Sequence, residues 1–175
     1  MFAFLFRRGN PTNQWSRQAG VSLTVDLSKY AINSISVGAD AEQFSFLGRS
    51  DSKSASPLKY HDLGLSLDLM EDGTVAEFRV VFADPNGQFA PFRGTILVNG
   101  SAINTGRLLK ELGACYWIDK DEYEILHFFE SPPYEIIVEQ SLQKQIRSIS
   151  VTNDGLMANP EQRRLYGVDK PWPPH

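Results

Sequence analysis

The run Leu63-Gly-Leu-Ser-Leu-Asp-Leu69 most narrows what this chain can fold into, because its four leucines fall at every second position. A period of two is that of a β-strand with one buried face. Glu71-Asp72-Gly73 follows as a turn, and the apolar residues of 75–82 supply a second strand, so the pair reads as an antiparallel hairpin. A hairpin with an all-leucine face is not stable alone and has to be covered. The rest of the chain must therefore provide both further strands and something to lay against them.

Other segments carry the same signals. Residues 21–27 place Val21, Leu23, Val25 and Leu27 in alternation with polar residues and predict a strand. In 38–48, Asp40 is a helix cap with Gln43 as capping-box partner, Phe44 and Leu47 share a face, and Gly48 ends the turn. A polar loop over 49–57 leads into the leucine hairpin, and residues 83–92, with two prolines and a glycine, read as a connector.

After the connector the order returns. Residues 95–98 predict a strand and Asn99-Gly100 a turn. Asn104 or Thr105 caps a helix whose Leu108, Leu109 and Leu112 form one stripe before Gly113. Residues 122–129, 134–140 and 146–152 predict three more strands. The expected architecture is α+β, one domain over 1–175, with two tandem strand–helix–meander units, 21–82 and 95–152, packed through their sheets. An α+β domain whose halves merely look alike is the competing reading. Asn159-Pro160, followed by Glu161-Gln-Arg-Arg and ended by Gly167, predicts a short terminal helix. The final Lys170-Pro-Trp-Pro-Pro-His175 should lie extended, with Trp172 docked on the body or held out as a ligand.

The order helix, Leu-Gly, loop and meander, carried by 41–48 with 60–82 and by 107–113 with 122–152, resembles the tandem repeats of β-lactamase-inhibitor-protein-like domains, a fold also used in single copy by outer-membrane assembly lipoproteins. Those families carry a signal peptide, a lipobox cysteine or a disulfide pair, and none of these is expected here. The leucine run, taken with Glu161-Gln-Arg-Arg and Lys170-Pro-Trp-Pro-Pro, also resembles uncharacterised small bacterial proteins built on domains of unknown function. By analogy, proteins of that style act as binding partners or as immunity proteins to toxins.

Charge and composition limit the chemistry. With 17 Lys+Arg against 21 Asp+Glu the net charge is −4, and there is no basic cluster with which to neutralise a nucleic-acid backbone. One cysteine, Cys115, excludes a disulfide framework and a cysteine-rich metal site. It follows a helix C-terminus, where a thiol is not activated, and is expected to be a small buried hydrophobe. His127 should face solvent, opposite Leu126 and Phe128, and His61 and Asp62 should point to opposite faces. The acidic run 119–124 lacks the glycine that a calcium loop needs and reads as a solvated turn.

The opening Met1-Phe-Ala-Phe-Leu-Phe6 is too short to span a bilayer. It reads as a strand or plug packed on the domain, or as a weak interfacial anchor with Arg7-Arg8 at the headgroups. No stable membrane insertion, no cofactor, no metal and a cytoplasmic location are expected.

The leading expectation is a non-catalytic protein-binding module of the inhibitor or immunity kind, with another protein, of basic surface, as its partner. Its binding residues would be Glu122, Tyr123, Glu124, Glu130, Tyr134, Glu135, Glu139 and Trp172, an acidic field on an exposed sheet face. The alternative is a small enzyme or ligand-binding protein with a pocket between the two halves; sequence alone does not place Glu122, Glu124, Glu130 and Glu135 in space, so paired-carboxylate hydrolysis stays open.

Overall fold

The computed structural model describes residues 9–174; the apolar hexapeptide at the N-terminus lies outside them. The chain runs through β1 (Thr24–Asp26), β2 (Ala31–Ile32), β3 (Ile35–Ser36), β4 (Leu58–Tyr60), β5 (Leu65–Leu69) and β6 (Val75–Val81) in its first half. Its second half holds β7 (Thr95–Val98), β8 (Ser101–Ile103), α1 (Leu108–Leu112), β9 (Trp117–Lys120), β10 (Glu124–Ser131), β11 (Tyr134–Ser141) and β12 (Ile146–Thr152), followed by α2 (Pro160–Leu165). These strands make two sheets, a small one in the order β3-β2-β1-β7-β8 and a large one in the order β4-β5-β6-β12-β11-β10-β9. All pairs of the large sheet are antiparallel, and β1 pairs with β7 in parallel.

The helical turns form where capping predicts them. Asp40 accepts the Glu42 N–H to open a 3-10 turn over Ala41–Leu47, and Gly48 closes it at φ 79°. Asn104 accepts the Arg107 N–H ahead of α1, and Asn159 accepts from Glu161 and Gln162 ahead of α2, where Pro160 occupies the first position. Phe44, Leu47 and Leu108 are buried as the stripes require.

One face of the large sheet and the small sheet share the main core. Leu67, Phe78, Val151, Ile136 and Phe129 stand opposite one another in successive strands, as do Leu65, Val80, Ile149 and Val138 in the next row. Val25, Ile32, Ile96 and Val98 of the small sheet, and Phe44, Leu47 and Leu108 of the helical turns, belong to the same buried cluster. Leu65 and Leu67 are fully buried, while Leu63 and Leu69 are half-buried at its margin.

The elements read from alternation and capping are present; several short ones, β2, β3, β4, β8 and β9, carry no such signal. Two strand readings are corrected. His127 follows Val138 in a core-facing row, half-buried with its Nε2 3.2 Å from Gln140 Oε1. Leu126 and Phe128 face the other side, where a second apolar cluster covers them. His61 and Asp62 lie in a 3-10 turn, not a strand: Asp62 pairs with Arg17 at 2.5 Å, and the His61 N–H donates to Asp51 at 2.8 Å. Cys115 is half-buried against the main core.

Candidate functional site

The second face of the large sheet changes character from one edge to the other. Directly opposed residues of an antiparallel ladder share a face. One row runs Lys59, Ser66, Arg79, Ser150 and then Ile137, Phe128, Trp117. The row beside it runs Asp68, Glu77, Thr152, Glu135, Glu130. A third has Ser148, Glu139, Leu126 and Asp119. The face is polar over β4, β5, β6 and β12 and at the Glu124 and Glu139 end of β10 and β11, and turns apolar over Ile137, Leu126, Phe128 and Trp117.

Residues 155–174 lie on the apolar half. Met157 is fully buried with Phe128 and Tyr116, and Leu156, Tyr166, Val168 and Trp172 pack around them. The Tyr166 ring meets Phe128 edge-on at 5.5 Å and Trp172 meets Tyr116 edge-on at 5.7 Å. Lys170 donates to the Tyr116 carbonyl at 2.7 Å, and the Tyr116 hydroxyl donates to the Pro171 carbonyl at 3.1 Å. Trp172 is thus docked on the body and not held out.

The polar half is an array of paired charges. Arg79 pairs with Glu139, whose side chain is 13% exposed and also accepts from the Ser148 hydroxyl at 2.8 Å. Arg147 lies 3.6 Å from Glu139 and 3.7 Å from Glu124. Burial, and then Glu139, push the Glu124 carboxyl above its usual value, and Arg147 opposes them. Glu77 is raised by burial while Ser150 hydrogen-bonds it.

Between the two halves lie two carboxyls. Glu130 and Glu135 are opposed across β10 and β11. Glu135 is fully buried; one oxygen accepts the Leu156 N–H at 3.0 Å and the other accepts the Met157 N–H at 2.9 Å. Both Glu130 oxygens are closed off from solvent and no donor reaches them. Burial, and then the adjacent Glu135, push the Glu130 carboxyl up to about 9, with Arg163 pulling the other way. At neutral pH Glu130 therefore carries a proton that it can direct at Glu135. A cavity of about 300 Å³ borders this end, lined by Ser28, Tyr30, Asn99, Glu111, Phe129 and Glu130 among others.

The expectation of an open acidic field is corrected on these grounds. Glu124, Glu130, Glu135 and Glu139 do share one face, but Glu135 and the Glu130 oxygens are buried and Glu139 is neutralised by Arg79. Tyr134 is on the opposite face, stacked on Tyr30 at 4.2 Å, and only Glu122 and Tyr123 are exposed. Among the described residues no group of three or more His, Cys, Asp or Glu side chains is placed to hold a metal, and no helix is long and apolar enough to cross a membrane.

No family model and no curated protein sequence matches this chain. Among solved structures it is similar to a DUF4309 family protein, YjgB from Bacillus subtilis subsp. subtilis str. 168, with a TM-score of 0.43 and 14% identity over 64% of this chain and 76% of that one.

Proposed function

We propose that this chain is a non-catalytic protein-binding module, of the inhibitor or immunity kind, whose contact surface is the polar half of the second sheet face. The observation that supports this reading most is the cross-linked array of Arg79, Glu139, Ser148, Arg147 and Glu124 on adjacent strands. Side chains already held by one another lose little freedom when a partner arrives, which lowers the cost of binding. The charges are mixed, so the contact itself is matched to a partner of mixed charge, while the net charge of −4 steers a basic protein from a distance. The free Cys115 fits a reducing compartment, and we read the module as cytoplasmic.

The alternative, a small-ligand site between the halves, has a location in the cavity of about 300 Å³ lined by Leu27, Ser28 and Tyr30 from the first half and by Val98, Glu111 and Phe129, among others, from the second. The acid beside it, Glu130, has both oxygens enclosed, so it is not presented to a ligand there.

We also read the two halves as a degenerate duplication. Support comes from strand order, which is mirrored about β1 and β7 in one sheet and about β6 and β12 in the other. A two-fold axis normal to a sheet makes its central pair antiparallel, as in β6 and β12, whereas β1 and β7 run parallel. The likeness is therefore one of element order and not of a single rotation.

The test places a photoreactive residue at Ser150, on the polar half, or at Arg93, an exposed position outside the strands, in the native host. A partner cross-linked from position 150 alone, whose purified complex is weakened at least tenfold by Arg79→Glu, is the expected result. Equal cross-linking from both positions, or a complex indifferent to Arg79→Glu, overturns the assignment of this face.

A further inference from the structure

The C-terminal segment is tied to the sheet through a carboxyl pair that is unlike the other acidic groups on this face. Glu139 and Glu124 have arginines, whereas Glu130 has none within bonding distance, and its oxygens are enclosed. The bonds that Glu135 accepts come from Leu156 and Met157, both belonging to the segment that covers it. Gly155 sits so close that a Cβ there would be 3.0 Å from the Glu135 Cβ. Two opposed, buried carboxylates cannot both be ionised without strong repulsion, and burial alone disfavours the charged form.

We propose that residues 155–174 form a strap whose closure over the sheet takes up one proton, held between Glu130 and Glu135, so that alkaline conditions release it. In the closed state both Glu135 oxygens are occupied by N–H donors, which leaves Glu130 as the proton carrier. In the open state the Glu130 carboxyl meets water and ionises as an ordinary glutamate does, near pH 4.3 or roughly so. Opening thus sheds one proton throughout the interval from that value to about 9, where closed Glu130 itself titrates.

The sign follows from linkage. The closed form is favoured fully below the ordinary glutamate range, and its advantage declines as pH rises until it levels off above about 9. In that interval the open population grows by up to about tenfold per pH unit. The groups that face the pair are Arg163 and Tyr166 from α2, Tyr116 ahead of β9 and Glu77 from β6, and Glu111 from α1 lines the same cavity as Glu130. Arg163 is the cation among them. It donates to the Met157 carbonyl at 2.5 Å and lies over the Trp172 ring at 5.7 Å. Release uncovers Phe128, Trp117, Leu126 and Ile137, an apolar patch continuous with the polar half of the same face. This inference does not depend on the binding role proposed above.

The experiment is amide exchange at Leu156 and Met157 in the full chain at pH 6, 7 and 8, corrected for intrinsic exchange, for wild type and for Glu130→Gln. The glutamine keeps an N–H for Glu135 and cannot ionise. Wild-type protection should fall by close to tenfold per pH unit, and that of Glu130→Gln should stay flat. Lys170 and the tyrosines are common to both proteins, so only the carboxyl accounts for the difference. A flat profile in wild type, or the same slope in both, overturns the proposal. Should the variant not fold, carbon NMR of the Glu130 side chain in wild type decides: titration well above the ordinary range sustains the proposal, and titration near pH 4 to 5 or thereabouts sinks it.

Discussion

At the scale of single residues, two kinds of position determine how this chain closes up. The first is the glycine that no other residue can replace. Gly64 follows the 3-10 turn at φ 63°, and a Cβ there would meet the Ala90 carbonyl at 2.5 Å and the Phe92 nitrogen at 2.7 Å. Both neighbours are backbone, so neither can yield by turning a side chain. Gly64→Ala should destabilise by about 3 kcal/mol or more, combining left-handed strain with a backbone clash. Chemical denaturation that found a loss under about 1 kcal/mol would show that the connector moves aside. The second kind is the buried acid. Since Glu130 is raised to about 9, global stability should fall as pH climbs from about 5 to 9. Glu130→Gln should match wild type near pH 5 and exceed its Tm by several degrees at pH 8. Thermal unfolding at the two pH values, with no gain at pH 8, would contradict this.

Whole elements were legible where a period or a cap declared them. The leucines of β5, the cap Asp40 with its closing Gly48, and Asn159-Pro160 each act through neighbours a few positions away, so their consequences lie in the local string. Leu67 is fully buried at the centre of β5, opposite Leu58 on one side and Phe78 on the other. Leu67→Ala should cost about 2–5 kcal/mol in denaturant titrations, since close-packed strands on both flanks leave the cavity little room to collapse. The elements that escaped, such as β2, β3 and β8, are two or three residues long and owe their existence to pairing across the small sheet. The site was legible only in parity. Alternation puts Glu124, Glu130, Glu135 and Glu139 on one face, but nothing local reveals that Arg79, sixty positions away from Glu139, neutralises it or that Met157 and its neighbours bury Glu135. His127 was misread for a related reason: Leu126 and Phe128 look like core, and they are, but of a second cluster built by a segment thirty residues downstream.

At the scale of the whole molecule, the described residues form two cores of unequal size on opposite faces of one sheet. The main cluster draws on both sheets and, among the described residues, contains none beyond Val151, while the smaller one joins Tyr116, Phe128 and Met157 under the strap. Because β12 ends at Thr152, removing residues 155–175 takes away no strand of the large sheet. The truncated chain should therefore still fold, with the hairpin of β10 and β11 intact. It would lose the burial of Met157, Tyr166 and Trp172, and with them the cover of Phe128. At roughly 1.5–3 kcal/mol for each large side chain, discounted for the half-buried ones, Tm should fall on the order of 10 °C. The bared strip of Phe128, Leu126, Ile137 and Trp117 lies beside β9, an edge strand of the sheet, and exposed apolar strips at sheet edges associate. Light scattering should then show dimers or larger species for the truncated chain at concentrations where the full chain is monodisperse. Circular dichroism of the truncated protein decides between two accounts of the fold: retained sheet signal with self-association means the strap only covers a finished sheet, whereas an unfolded chain means that the second core is needed to build it.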